Sequence, residues 1–293
     1  DIVKIKKIIK QRWWVFPLLL FLIGISAFTY FLSSLPSPKQ LKNRPAPAST
    51  EIYDRNGELL YEIYGDQDRV PIKLEELPKH VVEATIAIED QNFYKHRGFD
   101  IKGITRAFIS TVFKRDLEGG STITQQLVKN ALLTPERTIS RKIKEAVLTL
   151  LTEVMYSKKQ ILEMYFNQIP YGGTAYGIEA AARTFFDKSA QELDIIEAAL
   201  LAGLPAAPTT YAPFIHPDRA RARQKTVLFQ MKNSNKISQE EYDQAKEKEI
   251  KFASPGTTIK APHFVFYVKE QLVKEYGQQT VERGGLKVKT SLD

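Results

Sequence analysis

The chain has 293 residues, 43% of them hydrophobic and 26% charged, with a net charge of +8. That is a globular mixture rather than a disordered one, and its basic excess favours anionic partners. There is no cysteine and there are four histidines (His80, His96, His216, His263) with no HExxH pair, which excludes disulfide scaffolds, cysteine nucleophiles and thiolate metal sites and argues against a histidine-built metal centre.

Residues 13–32 (WWVFPLLLFLIGISAFTYFL) run twenty positions without a charge. A helix of that length spans roughly 30 Å, the thickness of a bilayer core, with Trp13, Trp14 and Tyr30 placed as interface anchors. Lys4, Lys6, Lys7, Lys10 and Arg12 precede it, so a cytoplasmic tail over 1–12 and an extracytoplasmic body are expected. The apolar run exceeds the about 7–15 residues of a signal-peptide core, and no convincing A-x-A site follows, so a retained anchor is expected rather than a cleaved leader. Residues 33–50 hold four prolines and no apolar periodicity, the composition of an extended tether. A basic body held there would meet lipid headgroups and membrane-bound anions rather than nucleic acid.

Residues 51–70 carry an Asn56-Gly57 turn between alternating apolar runs, a hairpin signal. Over 77–250 helical periodicity dominates. Ile143, Val147, Leu150, Leu151 and Val154 recur as one apolar face of a long helix; Ile161, Leu162, Tyr165 and Phe166 begin another. Residues 193–204 (LDIIEAALLAGL) suit the centre of a core, and 285–293 alternate like a strand. The fold class expected is mostly α, with small β pieces at both ends. Residues 101–113 (IKGITRAFISTVF) form an amphipathic stretch whose stripe Ile104, Phe108, Val112 is rimmed by Lys102, Arg106, Lys114 and Arg115. Both an interfacial membrane helix and a core helix with a solvated edge fit it.

Several stretches carry chemistry-bearing residues. In 84–100 (ATIAIEDQNFYKHRGFD), Glu89 and Asp90 close an apolar run and precede a cluster that includes Phe93 and His96. A carboxylate against an apolar wall gains the raised pKa of a general base, although an ordinary helix-end acid pair has the same pattern. In 119–130 (GGSTITQQLVKN), Ser121 or Thr122 can cap a helix, Thr122 with Gln125 fits a capping box, and Lys129 lies two turns on. Such an N-terminus can bind phosphate oxygens, and it can equally be a plain loop-to-helix joint. In 138–146 (TISRKIKEA), Arg141, Lys142 and Glu145 share a helical patch, readable as a surface salt bridge or as a diphosphate clamp. Residues 161–182 set Asn167, Pro170, Gly172, Gly173 and Gly177 between helices, a mainly structural turn.

EDQNFYKHRGFD, GGSTITQQLVKN, RKIKEA, ILEMYFNQIPYGGTAYGIEAAA and LAGLPAAPTTYAPFIHP follow one another in this order. Together they resemble the five motifs of the peptidoglycan glycosyltransferase domain, family 51, of class A penicillin-binding proteins and monofunctional transglycosylases. The resemblance covers about 51–231, and Phe185-Phe186-Asp187-Lys188 stands where Tyr-Phe-Gly-Lys is common. It implies a lysozyme-like head lobe and a smaller membrane-associated jaw lobe containing 101–113. It further implies polymerisation of lipid II into β-1,4 glycan strands, with inversion and with release of undecaprenyl diphosphate. Glu89 matches the general base and Glu145 the second catalytic glutamate, which would act near the diphosphate through a divalent cation (Mg2+ or Mn2+) or as an electrostatic partner. Ser121, Gln126, Lys129, Asn130, Arg141 and Lys142 match donor-site positions, with Asp90, Phe93, His96 and Asn167 in support. The domain plan expected is a transmembrane helix over 13–32, a tether over 33–50, the glycosyltransferase domain over 51–250, and over 251–293 the start of a linker toward a transpeptidase domain. The partners implied are lipid II, the nascent glycan strand, membrane lipid, other cell wall synthesis proteins and a second copy. The localisation implied is a bacterial plasma membrane, crossed once. A lysozyme-like hydrolase is the nearest rival, but it needs no diphosphate clamp.

Overall fold

The computed structural model describes residues 15–42, 50–63, 71–101, 103, 120–134, 136, 138–172, 175–253, 261–277, 280–281 and 286–293. The chain divides into two units, 1–37 and 38–293.

The first unit is described as helix α1 (Val15–Ser33), uncharged throughout. Pro17 falls in its first turn, where its missing N–H costs nothing. Leu18, Leu19, Phe21, Leu22 and Ile25 are exposed along it. Trp13, Trp14, the basic tail and several α1 side chains lie outside the described residues, and among the described residues no helix is long and apolar enough to cross a membrane.

The second unit is mostly helical. It opens on a 3-10 turn, Pro38–Leu41, and a hairpin of β1 (Thr50–Tyr53) and β2 (Leu59–Ile63). Helices α2 (Lys79–Glu89), α3 (Ile123–Leu132), α4 (Ile139–Met155) and α5 (Lys158–Gln168) follow. A ribbon of β3 (Pro170–Gly172) and β4 (Ala175–Tyr176) leads to α6 (Ile178–Phe186), α7 (Ile195–Gly203), α8 (Pro217–Asn233) and α9 (Gln239–Glu247). The chain closes with α10 (Pro262–Tyr276) and β5 (Lys287–Lys289). Most of the jaw stretch, 104–113, lies outside the described residues.

The starts of these helices follow their sequence. Thr122, Ser157, Asp194 and Ser238 each accept from a backbone N–H of the first turn, and the Gln or Glu three residues on returns the bond, which satisfies donors a helix start leaves orphaned. The α7 helix, apolar but for Glu197, lies between α2 and α8, where Ala84, Ala199, Ala202, Val227 and Met231 pack together. A larger cluster joins α3, α5 and α6 through Leu127, Ile161, Tyr165, Phe166 and Phe185.

Three features depart from the sequence expectations. The tether is not wholly extended: Leu41, 2% exposed, is packed into the main core. Its carbonyl accepts from Gln168 Nε2, and Tyr156 Oη donates to the Pro38 carbonyl. Burial of one leucine outweighs the tether composition here. The hairpin does not belong to the helical body alone: β1 pairs antiparallel with β2 and parallel with β5, over a small core of Ile52, Leu60, Val265 and Val281. The ends of the expected catalytic domain and linker thus fold together, because β1 needs partners on both edges. Finally, α4 turns the expected core face outward. Ile143, Leu150 and Leu151 are exposed, and Val154 is 85% exposed. Glu145, Leu148, Thr149 and Thr152 are buried instead. The threonines tolerate this because their hydroxyls donate to the carbonyls of Glu145 and Leu148, leaving no orphaned polar group.

Gly98 joins the turn after α2 to α4. Its φ is +85°, and a Cβ there would lie 2.7 Å from Thr149 Cγ2. Gly98→Ala should therefore cost about 2–4 kcal/mol, from positive-φ strain and overpacking together, read as a lowered midpoint in urea unfolding. Unchanged stability would show that the turn relaxes.

Candidate active site

Glu89 is the last residue of α2, and the turn that follows needs the chain to leave the helix there: Asp90 caps it with φ −161°. The Glu89 side chain is 7% exposed. Gln126, projecting from α3, donates through Nε2 to Glu89 Oε2 at 2.5 Å, and Tyr165 of α5 donates through Oη to Gln126 Oε1 at 3.3 Å. Arg223 of α8 holds Nη2 3.8 Å from Glu89 Oε1, an oxygen without a hydrogen bond. Burial pushes the Glu89 carboxyl above its ordinary value; the Gln126 bond and the Arg223 charge work against that, and the Asp90 charge adds to it. A carboxyl with a raised pKa is a stronger base than an ordinary carboxylate.

Asp90 faces the other way. Its carboxylate lies 2.8 and 3.0 Å from His96 Nε2 and accepts from the backbone N–H of Ile123 at 3.1 Å. It thereby locks the turn after α2 to the start of α3, so that Gln126 meets Glu89. Burial raises the Asp90 pKa against the pull of His96. Phe93 is buried edge-on to His96 with Lys158 Nζ 4.4 Å from its ring centre.

The second constellation sits on α4, which packs against α3. Glu145 is 2% exposed and pairs with Lys142 and, at 3.8 Å, with Arg141 Nη1. Glu145 Oε2 and Arg141 Nε are buried without hydrogen-bond partners. Buried polar atoms left over in this way mark capacity for a further ligand or water. Ser121 is exposed beside the Thr122 cap, Lys129 is exposed in the last turn of α3, and Asn130 next to it is half-buried. Asn167 is occupied elsewhere: its amide bonds both the N–H and the C=O of Ile72, and Nδ2 also reaches Glu163 O. It braces the chain as a strand partner would.

Among the described residues no group of three or more His, Asp or Glu side chains could hold a metal ion, and Glu145 is paired with Lys142 and Arg141.

Sequence reasoning passed over Arg223 and Tyr165. Arg223 sits in the run RARARQK, where nothing marks which arginine turns inward. In the structure Gly203 makes room for it: a Cβ there would come 2.8 Å from Arg223 Cγ. Tyr165 was visible only as one apolar position among four.

The structure thus combines a mostly helical body, a buried carboxyl of raised pKa and a separate patch of two cations around a second buried carboxylate, the kinds of group that acid–base enzymes use. The sequence model of the family described as Transglycosylase matches residues 56–232. The chain is 43% identical over 277 residues to penicillin-binding protein 1A of Aquifex aeolicus, covering 94% of this chain and 37% of that protein. It is 39% identical over 260 residues to penicillin-binding protein 1A of Escherichia coli K12, covering 88% and 30%. A crystal structure of penicillin-binding protein 1A from Haemophilus influenzae aligns with 84% of this chain and 27% of its own, at TM-score 0.45 and 26% identity. The chain belongs to the transglycosylase family, as a peptidoglycan glycosyltransferase domain of the kind that class A penicillin-binding proteins carry. It spans about a third of the length of these relatives.

Proposed function

We propose that this chain polymerises lipid II into β-1,4 glycan strands at the bacterial plasma membrane, releasing undecaprenyl diphosphate. The observation that carries the reading is Glu89, a buried carboxyl of raised pKa whose one bonded oxygen is held by Gln126 and whose other oxygen has no hydrogen bond. Glu89 takes the proton from the acceptor sugar 4-hydroxyl as that oxygen attacks the donor anomeric carbon, and the bond to the diphosphate breaks on the opposite face. Arg141 and Lys142, with Lys129 and Asn130 of α3, receive the charge that develops on the leaving diphosphate. Glu145 keeps the two α4 cations oriented. Ser121 and the Gln126 amide line the donor side.

In this proposal the anchor is the stretch 13–32, twenty positions without a charge that follow a basic tail. The lipid-linked substrate cannot leave the bilayer, so the anchor raises the concentration of enzyme at the substrate. The experiment is lipid II polymerisation in liposomes by the full chain and by a chain lacking residues 1–37. The full chain should yield lysozyme-sensitive polymer. The truncated chain should lose at least about tenfold in rate with an unchanged melting temperature. Equal rates would remove the anchor from the proposal, and no polymer from the full chain would overturn the activity itself.

A further inference from the structure

We infer that Tyr165 is a positioning residue for the base: it completes a one-directional hydrogen-bond chain, Tyr165 to Gln126 to Glu89, that ends on the carboxylate. The inference rests on Glu89 acting as the base.

The order of the chain follows from donor and acceptor chemistry. An ionised carboxylate only accepts, so Gln126 must turn its Nε2 toward Glu89. Its Oε1 then faces α5 and needs a donor in a buried setting. Tyr165 supplies it at 3.3 Å, with no exposed surface of its own. Burial and the nearby Glu89 charge hold the Tyr165 phenol well above its ordinary pKa, so its proton stays in place to be donated. Each link polarises the next, and a chain ending on a charge gains more from this than one ending on a neutral acid. Tyr165 therefore stabilises ionised Glu89 more than protonated Glu89, although it touches neither substrate nor Glu89. No proton passes along the chain.

Other groups act on Glu89 as well. Asp90 lies at the end of its own helix and Arg223 comes from α8; Tyr171 of β3 is buried nearby, its phenol pushed up by burial and by the Glu89 charge. His96 and Lys158 stand behind Asp90. None of these bonds the Gln126 amide oxygen; among the described residues that bond comes from Tyr165.

The test is the pH dependence of kcat/KM on lipid II for the full chain and for Tyr165→Phe, which preserves ring and volume. The acidic limb should move to higher pH by about half a unit to one unit, a roughly three- to tenfold loss on the acid side. The loss on the alkaline plateau should be clearly smaller and the melting temperature close to wild type. Gln126→Ala should move the limb at least as far, and adding Tyr165→Phe to it should move it no further, because Tyr165 acts through the amide. A rate loss equal at every pH, a superimposable profile, or additive shifts would each overturn the inference.

A measurement on the wild-type chain stands independently of how the variants fold. The Gln126 side-chain amide resonances should titrate together with the Glu89 carboxyl carbon; an amide indifferent to that titration overturns the chain. Should Glu89→Gln retain polymerisation, the base reading falls and this inference with it. Should Glu89→Gln be inactive while Tyr165→Phe is unshifted, only this inference falls.

Discussion

Glu89→Gln should reduce lipid II polymerisation by about 10²–10⁴-fold, the usual contribution of a positioned general base, while leaving the chain at least as stable at pH 7. The first part follows because glutamine keeps the shape of Glu89 and can still accept from Gln126 Nε2, but cannot take a proton from the acceptor hydroxyl. The second part follows from linkage. The folded pKa of Glu89 lies above its ordinary value of 4.5, so between 4.5 and the raised value the folded state binds more protons than the unfolded state. Stability then falls as pH rises through that window, and above it the full cost of a buried charge remains. Glutamine removes that cost. Its stability advantage should fade as pH falls to 4.5 and below, where the wild-type carboxyl is protonated in both states. The measurements are initial rate at pH 7 and thermal melts at pH 4 and pH 7. Retention of more than about a tenth of the rate would remove Glu89 as base. A variant that melts well below wild type at pH 7 would show that Glu89 is instead a structural acid.

Arg141→Ala should cut the rate by at least about tenfold, equivalent to roughly 1.4 kcal/mol, with a much smaller effect on the fold. Arg141 reaches Glu145 only at 3.8 Å and keeps a buried, unbonded Nε, so part of its hydrogen-bonding capacity is unspent in the free protein. A charge-assisted contact with a phosphate oxygen would use it, at about 1.5–3 kcal/mol. Glu145 retains Lys142 in the variant, so the buried carboxylate is not left without a cation, which is the situation that makes breaking such pairs costly. Arg141→Lys should recover activity only in part, since an ammonium cannot present the guanidinium's paired donors. Initial rates on lipid II beside urea unfolding would decide. An unchanged rate, or a loss fully matched by unfolding, would return the patch to an ordinary salt bridge.

Much was legible before any coordinates. The capping boxes at Thr122, the hairpin around Asn56-Gly57 and the apolar run that became α7 are local signals, set by hydrogen bonds and periodicities within a few residues. The ion-pair patch of Arg141, Lys142 and Glu145 is local too, because residues three and four apart on a helix are neighbours. The pattern of 84–90 set Glu89 at the end of an apolar run, but fitted an ordinary helix-end acid as well as a buried one.

What tertiary structure alone decided is of another kind. It brought Gln126 and Arg223 onto one carboxylate, up to 134 positions away in the chain, and Tyr165 behind Gln126. It set aside Asn167, a motif residue, to brace Ile72. It placed the apolar stripe of α4 outward and a threonine face inward, and it paired β1 with β5 across more than two hundred residues. Periodicity states that a helix has an apolar face; it does not state which neighbour will cover it. Composition states that a run is basic; it does not state which arginine finds a glycine opposite that makes room for it. Those outcomes depend on packing between segments distant in sequence, where shape and the satisfaction of buried polar groups decide and no short stretch of residues carries the information.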